Sequence, residues 1–140
     1  FISRIFLRRI GAVFVERFDM QRGVADARRI AHKVEAGASL LFFPEGTFTR
    51  MPGLLSFHMG AFVAAAEAGV PVVPVTIRGT RSILRAGSWL PHAGTVSVLV
   101  GEPLEPAGTD WNAAVKLRDA TREVILQHAA EPDLALEWPL

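Results

Sequence analysis

The chain has 140 residues, half of them hydrophobic, and a formal net charge of only +1 from 15 Lys and Arg against 14 Asp and Glu. That length fits one domain with a real core, and the near-zero charge supplies no field to attract nucleic acid. Cysteine is absent, which excludes disulfides, thiol catalysis and zinc–thiolate sites and permits a reducing compartment.

No apolar run reaches the roughly 18–20 residues needed to span a bilayer. So apolar a chain without a span is a dense α/β core, a surface-seated membrane protein, or both. Its positive charge is almost all arginine, Lys33 and Lys116 being the lysines. Arginine's planar fork suits two-point contact with phosphate, although a GC-rich genome would give the same bias.

In chain order, Phe1–Ile10 places Phe1, Ile2, Ile5 and Phe6 on one helical side and Arg4, Arg8 and Arg9 on the other. Gly11 stops that helix, and Ala12–Glu16 has the character of a short strand. Val24, Ala27, Ile30, Ala31 and Val34 repeat at helical spacing, with Gly37 beyond them as a C′ residue. Ser39–Phe43 is a continuous apolar run, the pattern of a strand buried on both faces. Pro44–Ser56 is a loop rich in Gly, Pro and Thr.

Met59–Ala68 is alanine-rich and predicts a helix ending at Gly69. Val72–Ile77 and Thr95–Val100 predict two more buried strands. Asp110 is an N-cap candidate for a last helix lined by Ala114, Leu117, Thr121, Val124 and Ile125. Strands alternating with helices predict an α/β fold, a largely parallel sheet flanked by helices, in a single domain over 1–140. Ligands of such sheets bind beyond the carboxyl ends of the strands. The chemistry is therefore expected in the loop after Ser39–Phe43.

That loop reads Phe43-Pro44-Glu45-Gly46-Thr47-Phe48-Thr49-Arg50. Pro44 removes a ladder donor and ends the strand. Gly46 permits positive φ or a close approach of backbone to ligand. Thr47 and Thr49 supply hydroxyls, and Arg50 a fork for an anion. An ordinary strand-exit turn, with polar side chains bonded to local backbone, has the same composition.

The surroundings add to this. Gly11–Arg17 precedes the loop and Val70-Pro71-Val72-Val73-Pro74-Val75 follows it. Together with Phe43–Thr47 and with Phe57-His58-Met59-Gly60, these blocks resemble, in order, the motifs of the glycerophospholipid (lysophosphatidate) acyltransferase family. The resemblance covers essentially the whole chain.

It implies that Arg17 binds the acceptor's phosphate and that Glu45, Gly46 and Thr47 shape the acceptor site. Phe48 stands where the family commonly has Arg, and Arg50, two positions on, is the candidate replacement. His58 stands where the family usually has Lys or Arg. Glu45 cannot favourably meet a phosphate dianion directly, so it accepts from a glycerol hydroxyl, orients an arginine, or is structural. Arg78, Arg81 and Arg85 form a further basic stretch, fitting ligand contact or membrane-surface charge.

The family's catalytic His-x-x-x-x-Asp precedes the Gly…Arg block and does not occur there in this sequence. The resemblance therefore implies a partial domain, incomplete at its N-terminus, whose catalytic histidine lies upstream and which alone releases no coenzyme A. The same spacing occurs once, in His128-Ala-Ala-Glu-Pro-Asp133, after every other block and broken by Pro132; it is expected to be coincidental.

The implied partners are a lysophospholipid acceptor and an acyl-CoA or acyl-carrier-protein donor, with no metal or redox cofactor. The implied location is peripheral, on the cytoplasmic face of a membrane. Phe1–Ile10 and the apolar loop Met51–Phe57 are candidate lipid-facing or acyl-lining segments, and core packing is the alternative for both. A non-catalytic lipid- or phosphate-binding module is the second functional reading. A hydrolase or P-loop domain is disfavoured because neither Gly-x-Ser-x-Gly nor Gly-x-x-x-x-Gly-Lys-Ser/Thr occurs.

Overall fold

A computed structural model describes residues 37–47, 49, 51–85 and 87–136. The element order among them is α1 (Gly60–Ala68), β1 (Val75–Arg78), α2 (Thr80–Ile83), β2 (Ser97–Val100) and α3 (Trp111–Ala129). The two helices and the strand expected within 1–36 lie outside the described residues.

The core forms where α1 meets α3. Ala64, Ala65 and Ala66 on α1 and Ala113 and Ala114 on α3 are all buried, and side chains this small let the two helices approach closely. Phe62, Leu117, Leu54 and Phe57 fill the remaining volume. The Phe57 and Phe62 rings stack with centroids 6.2 Å apart and an interplanar angle of 7°, an arrangement that adds to burial alone.

The helix ends read at Gly69 and Asp110 are found. Gly69 adopts φ +62°, and its N–H caps the carbonyls of Ala65 and Ala66. Asp110 accepts a hydrogen bond from Ala113 N at 2.8 Å, satisfying a first-turn donor. Ala114, Leu117 and Thr121 are buried on α3 as the periodicity predicts, and Thr121 Oγ1 donates back to Leu117 O at 2.7 Å.

The sheet differs from expectation in burial as well as direction: in β1 only Thr76 is buried and β2 is exposed throughout, because no described element covers that face. β1 and β2 pair antiparallel, with Val75 opposite Val100 and Arg78 opposite Ser97; a largely parallel sheet is not seen among the described residues. The pairing extends back through Gly101 N to Pro74 O and a reciprocal bridge between Val72 and Leu104. Regular ladder begins only at Val75 because Pro71 and Pro74 have no N–H to give. The parallel contact present is a bridge between Leu54 and Asp133.

Ser39–Phe43 was expected as a buried strand, yet it joins no ladder among the described residues. Leu41 and Phe43 are 76% and 73% exposed there. An apolar run becomes a strand only with a partner, and no described segment pairs with it. No helix among the described residues is long and apolar enough to cross a membrane.

Candidate functional site

The Phe43–Arg50 loop begins as a tight turn. Gly46 N donates to Phe43 O at 3.0 Å, and Gly46 holds φ +63°. A Cβ at Gly46 would lie 2.8 Å from His58 Cδ2 and 3.0 Å from Nε2. The positive φ favours glycine here, while a Cβ would meet only the outer atoms of the exposed His58 ring, which can swing aside. His58 is placed by its own backbone, whose N donates to Pro44 O at 2.9 Å. The family-like turn and the His58 departure thus sit in contact.

Glu45 Oε2 accepts a hydrogen bond from Leu55 N at 3.0 Å. Of the three roles open to Glu45 from the sequence, the structure displays a structural one: its carboxylate closes the Pro44–Ser56 loop on itself. A carboxylate offers two oxygens and about four lone-pair positions, so this bond leaves capacity for substrate. Thr47 is exposed. Thr49 Oγ1 accepts from Met51 N at 3.1 Å, a local side-chain turn of the kind threonine favours. Arg17 and Arg50, the two candidate phosphate cations, and Phe48 lie outside the described residues.

The loop's second half is core. Leu54, Leu55 and Phe57 are 8%, 8% and 3% exposed, which favours core packing, one of the two readings of Met51–Phe57, for these three residues; Met51, Pro52 and the neighbouring His58 are exposed. Three apolar side chains at that spacing are more stably placed under α1 and α3 than in a solvent-facing loop.

Residues distant in sequence hold this loop, and the sequence did not single out their role. Arg122 on α3 donates from Nη2 to Leu54 O at 2.9 Å and from Nε to Leu55 O at 3.2 Å. Its fork also meets both oxygens of Asp133, with Nη1 to Oδ2 at 3.0 Å, and its guanidinium lies 5.8 Å above the Phe57 ring. The Arg122 hydrogen bonds and the Ala135 N–H hold the Asp133 carboxyl below its ordinary value of 3.8, against a small opposing cost of burial.

Arg81 Nη1 donates to Thr49 O at 3.0 Å and Nε to Glu131 Oε1 at 2.9 Å. Glu131 Oε2 in turn accepts from Gly53 N at 2.6 Å. Arg81 was visible only as a member of a basic stretch and Asp133 only as the end of the coincidental His128…Asp133 spacing; Glu131 and Arg122 carried no motif.

The His128…Asp133 spacing is not a dyad. His128 Nδ1 bonds Val124 O at 2.8 Å within its own helix, while Asp133 is bound to Arg122. Among the described residues no histidine ring is hydrogen-bonded to a carboxylate, and no cluster of His, Cys, Asp or Glu could hold a metal ion.

A family profile described as acyltransferase matches residues 1–78, the window that contains Gly11–Arg17, Phe43–Thr47 and Val70–Val75. A 1-acyl-sn-glycerol-3-phosphate acyltransferase of Salmonella typhimurium is 47% identical over 104 residues, covering 74% of this chain and 42% of that protein. The chloroplastic 1-acyl-sn-glycerol-3-phosphate acyltransferase of Brassica napus is 39% identical over 102 residues, covering 72% of this chain and 30% of that one. The chain thus spans less than half the length of these relatives.

In structure, it resembles the crystallised 1-acyl-sn-glycerophosphate acyltransferase of Thermotoga maritima. The TM-score is 0.71 at 29% identity, over 91% of this chain and 49% of that one. With the matched profile spanning more than half of its residues and enclosing the glycine-bearing turn, this chain belongs to the glycerophospholipid acyltransferase family.

Proposed function

We propose that the protein carrying this chain is an O-acyltransferase. It moves a fatty acyl group from a CoA or carrier-protein thioester to the hydroxyl of a lysophospholipid such as 1-acylglycerol-3-phosphate. The reading rests chiefly on the Phe43–Thr47 turn, whose Gly46 holds a positive φ that favours glycine and which falls within the acyltransferase match. The acceptor oxygen attacks the thioester carbonyl, a C–O bond forms, the C–S bond breaks, and the hydroxyl proton ends on the released thiol.

That proton transfer needs a general base, worth roughly 10²–10⁴ in rate. We assign it to no described residue, because His128 is bound to Val124 and no described histidine is oriented by a carboxylate. The 140 residues alone are accordingly expected to bind acceptor without transferring acyl groups. Arg17 and Arg50 are assigned to the acceptor phosphate, where a fixed guanidinium fork gives charge-assisted, two-point binding. Glu45, Gly46 and Thr47 shape the acceptor site beside them.

The test is thiol release by the natural polypeptide that carries this chain, with lysophosphatidate and either acyl-CoA or acyl-carrier protein. Arg17→Ala and Arg50→Ala should each raise the acceptor KM by about 10-fold or more, since a lost charged hydrogen bond costs about 1.5–3 kcal/mol, with donor KM unchanged. Binding of lysophosphatidate without thiol release would instead favour a non-catalytic lipid- or phosphate-binding module.

A peripheral position on the cytoplasmic face of a membrane belongs to the same proposal. Its support comes from the segment beside Arg85, the end of the basic stretch read from the sequence. Between Leu84 and Leu90 the chain is held by bonds from Ser88 N to Arg85 O and between Ser88 Oγ and Leu90. Within it Trp89 is 85% exposed, with Leu84 and Leu90 at 55% and 56%. Trp and Leu side chains exposed beside Arg85 have the composition of an interfacial anchor. Trp89→Glu should reduce sedimentation with phosphatidylglycerol-containing vesicles severalfold; unchanged sedimentation would remove this support.

A further inference from the structure

Between β1 and β2 the chain makes an excursion whose base is fastened on both sides. Gly79 holds φ +89°, and a Cβ there would collide with the carbonyl oxygen of Thr95, so the outgoing and returning backbones touch. Ile83 O accepts from His92 N at 2.8 Å, which closes Leu84–Pro91 into a loop. Gly94 seats against Ile83 at the same base, where a Cβ would lie 2.9 Å from Ile83 Cγ1.

What projects beyond this base is apolar and basic. Leu84, Trp89 and Leu90 are all more than half exposed, and Arg85 beside them is exposed as well. From Ala68 to Gly101 the sequence has three arginines, Arg78, Arg81 and Arg85, and no acidic residue. Exposed indole and leucine are disfavoured in water and favoured where headgroups meet acyl chains, while anionic headgroups attract arginine. A wholly electrostatic partner would use the arginines and leave the indole in water.

The same excursion grips the acceptor loop. It opens with the four residues of α2, a helix about 6 Å long. From within α2, Arg81 Nη1 donates to Thr49 O at 3.0 Å, two residues beyond Thr47. At the far end α2 runs straight into Leu84, whose N donates to Thr80 O at 2.9 Å. One turn of helix therefore joins the apolar loop to the backbone that continues the Glu45–Thr47 turn.

We infer that Leu84, Arg85, Trp89 and Leu90 seat the protein on an anionic bilayer with its acceptor loop held beside the lipid, so that the acceptor is taken from the bilayer and not as a dissolved monomer. This rests on the proposed acyltransferase reading and adds to it the physical form in which the acceptor is met.

The test presents one head group in two ways to the natural polypeptide, with the same medium-chain thioester donor in both. Long-chain lysophosphatidate is embedded in phosphatidylglycerol–phosphatidylcholine vesicles, and short-chain lysophosphatidate is kept dissolved below its micelle concentration. Trp89→Glu should raise the apparent acceptor KM on vesicles about 5- to 10-fold and leave that of the dissolved acceptor within about 2-fold. Arg85→Gln should raise it about 5-fold on these vesicles and leave it unchanged on phosphatidylcholine alone, and added salt should shrink the difference. Leu90→Glu carries the test if Trp89→Glu does not fold.

Variants that keep the wild-type KM on vesicles overturn the inference and leave the functional reading intact. So does an equal rise for embedded and dissolved acceptor, which would put the loop's effect in the acceptor site and not on the lipid. A rise confined to the KM of an acyl-carrier-protein donor would assign the surface to an acidic protein and overturn the inference too. A wild type that releases no thiol with either acceptor overturns the functional reading itself.

Discussion

Replacing Arg122 with alanine is expected to destabilise the fold by about 2–3 kcal/mol, the cost of removing one partner from a partly buried, hydrogen-bonded charge pair. The side chain is only 14% exposed. It answers the Leu54 and Leu55 carbonyls, both oxygens of Asp133 and the face of Phe57. Alanine leaves those two carbonyls without their charged donor beside a core residue. The lower part of the range for buried pairs applies because Asp133 is 45% exposed and water can rehydrate it.

Lysine at this position should recover little, as one ammonium cannot serve two carbonyls and a bidentate carboxylate together. The readout is the denaturant midpoint of the natural polypeptide, which should fall without a change in slope.

The same pair gives the effect a pH dependence of defined sign. The folded-state carboxyl of Asp133 sits below its ordinary value of 3.8. A depressed carboxyl contributes stability that is fully present above the unfolded value and is lost as pH falls through the folded one. The gap between wild type and Arg122→Ala should therefore be constant from neutrality down to about pH 5 and narrow below the ordinary carboxylate value. A gap that widens on acidification would mean that Asp133 is not the group responsible.

The second large effect is expected from Gly53→Ala, at about 3 kcal/mol from backbone strain and overpacking together. Gly53 holds φ +145°, a conformation essentially confined to glycine. An added Cβ would be driven into Cδ1 and Cγ of Leu134, itself buried at 7% exposure. Backbone displacement offers little relief, because Gly53 N is bonded to Glu131 and Leu54 is bonded to both Pro132 and Leu134.

Strain and clash separate in a double-mutant cycle. In a Leu134→Ala background the clash is gone and the strain remains, so Gly53→Ala should cost about 1–2 kcal/mol less there than in the wild type. Equal costs in both backgrounds would show that the loop and Leu134 are not packed as described.

Much of the site was legible because it is local. A proline after an apolar run, a glycine two residues on and flanking hydroxyls specify a turn through their own backbone preferences, and Phe43–Gly46 forms one. Asp110 and Gly69 were readable as helix ends for the same reason: caps act within one turn of the helix they close. The ordered blocks from Gly11 to Val75 placed the chain in its family before any coordinate was known, and the profile match covers the same stretch.

What escaped was everything that depends on a distant partner. An apolar run does not name the strand it will pair with, so the alternation of elements suggested a parallel sheet where β1 and β2 lie antiparallel. Leu54, Leu55 and Phe57 look alike as lipid-facing residues and as core residues; only the arrival of α1 and α3 above them makes them core.

Glu131 and Asp133 are ordinary acidic residues in a turn until the chain returns them to residues 53 and 54, nearly eighty positions earlier in sequence. The sequence by itself determined which residues turn, cap and carry the family's blocks, since those choices follow from steric and hydrogen-bonding rules within a few residues. Tertiary structure alone decided what holds the turn in place, because a guanidinium or carboxylate acquires that role only when folding brings a remote backbone within about 3 Å of it.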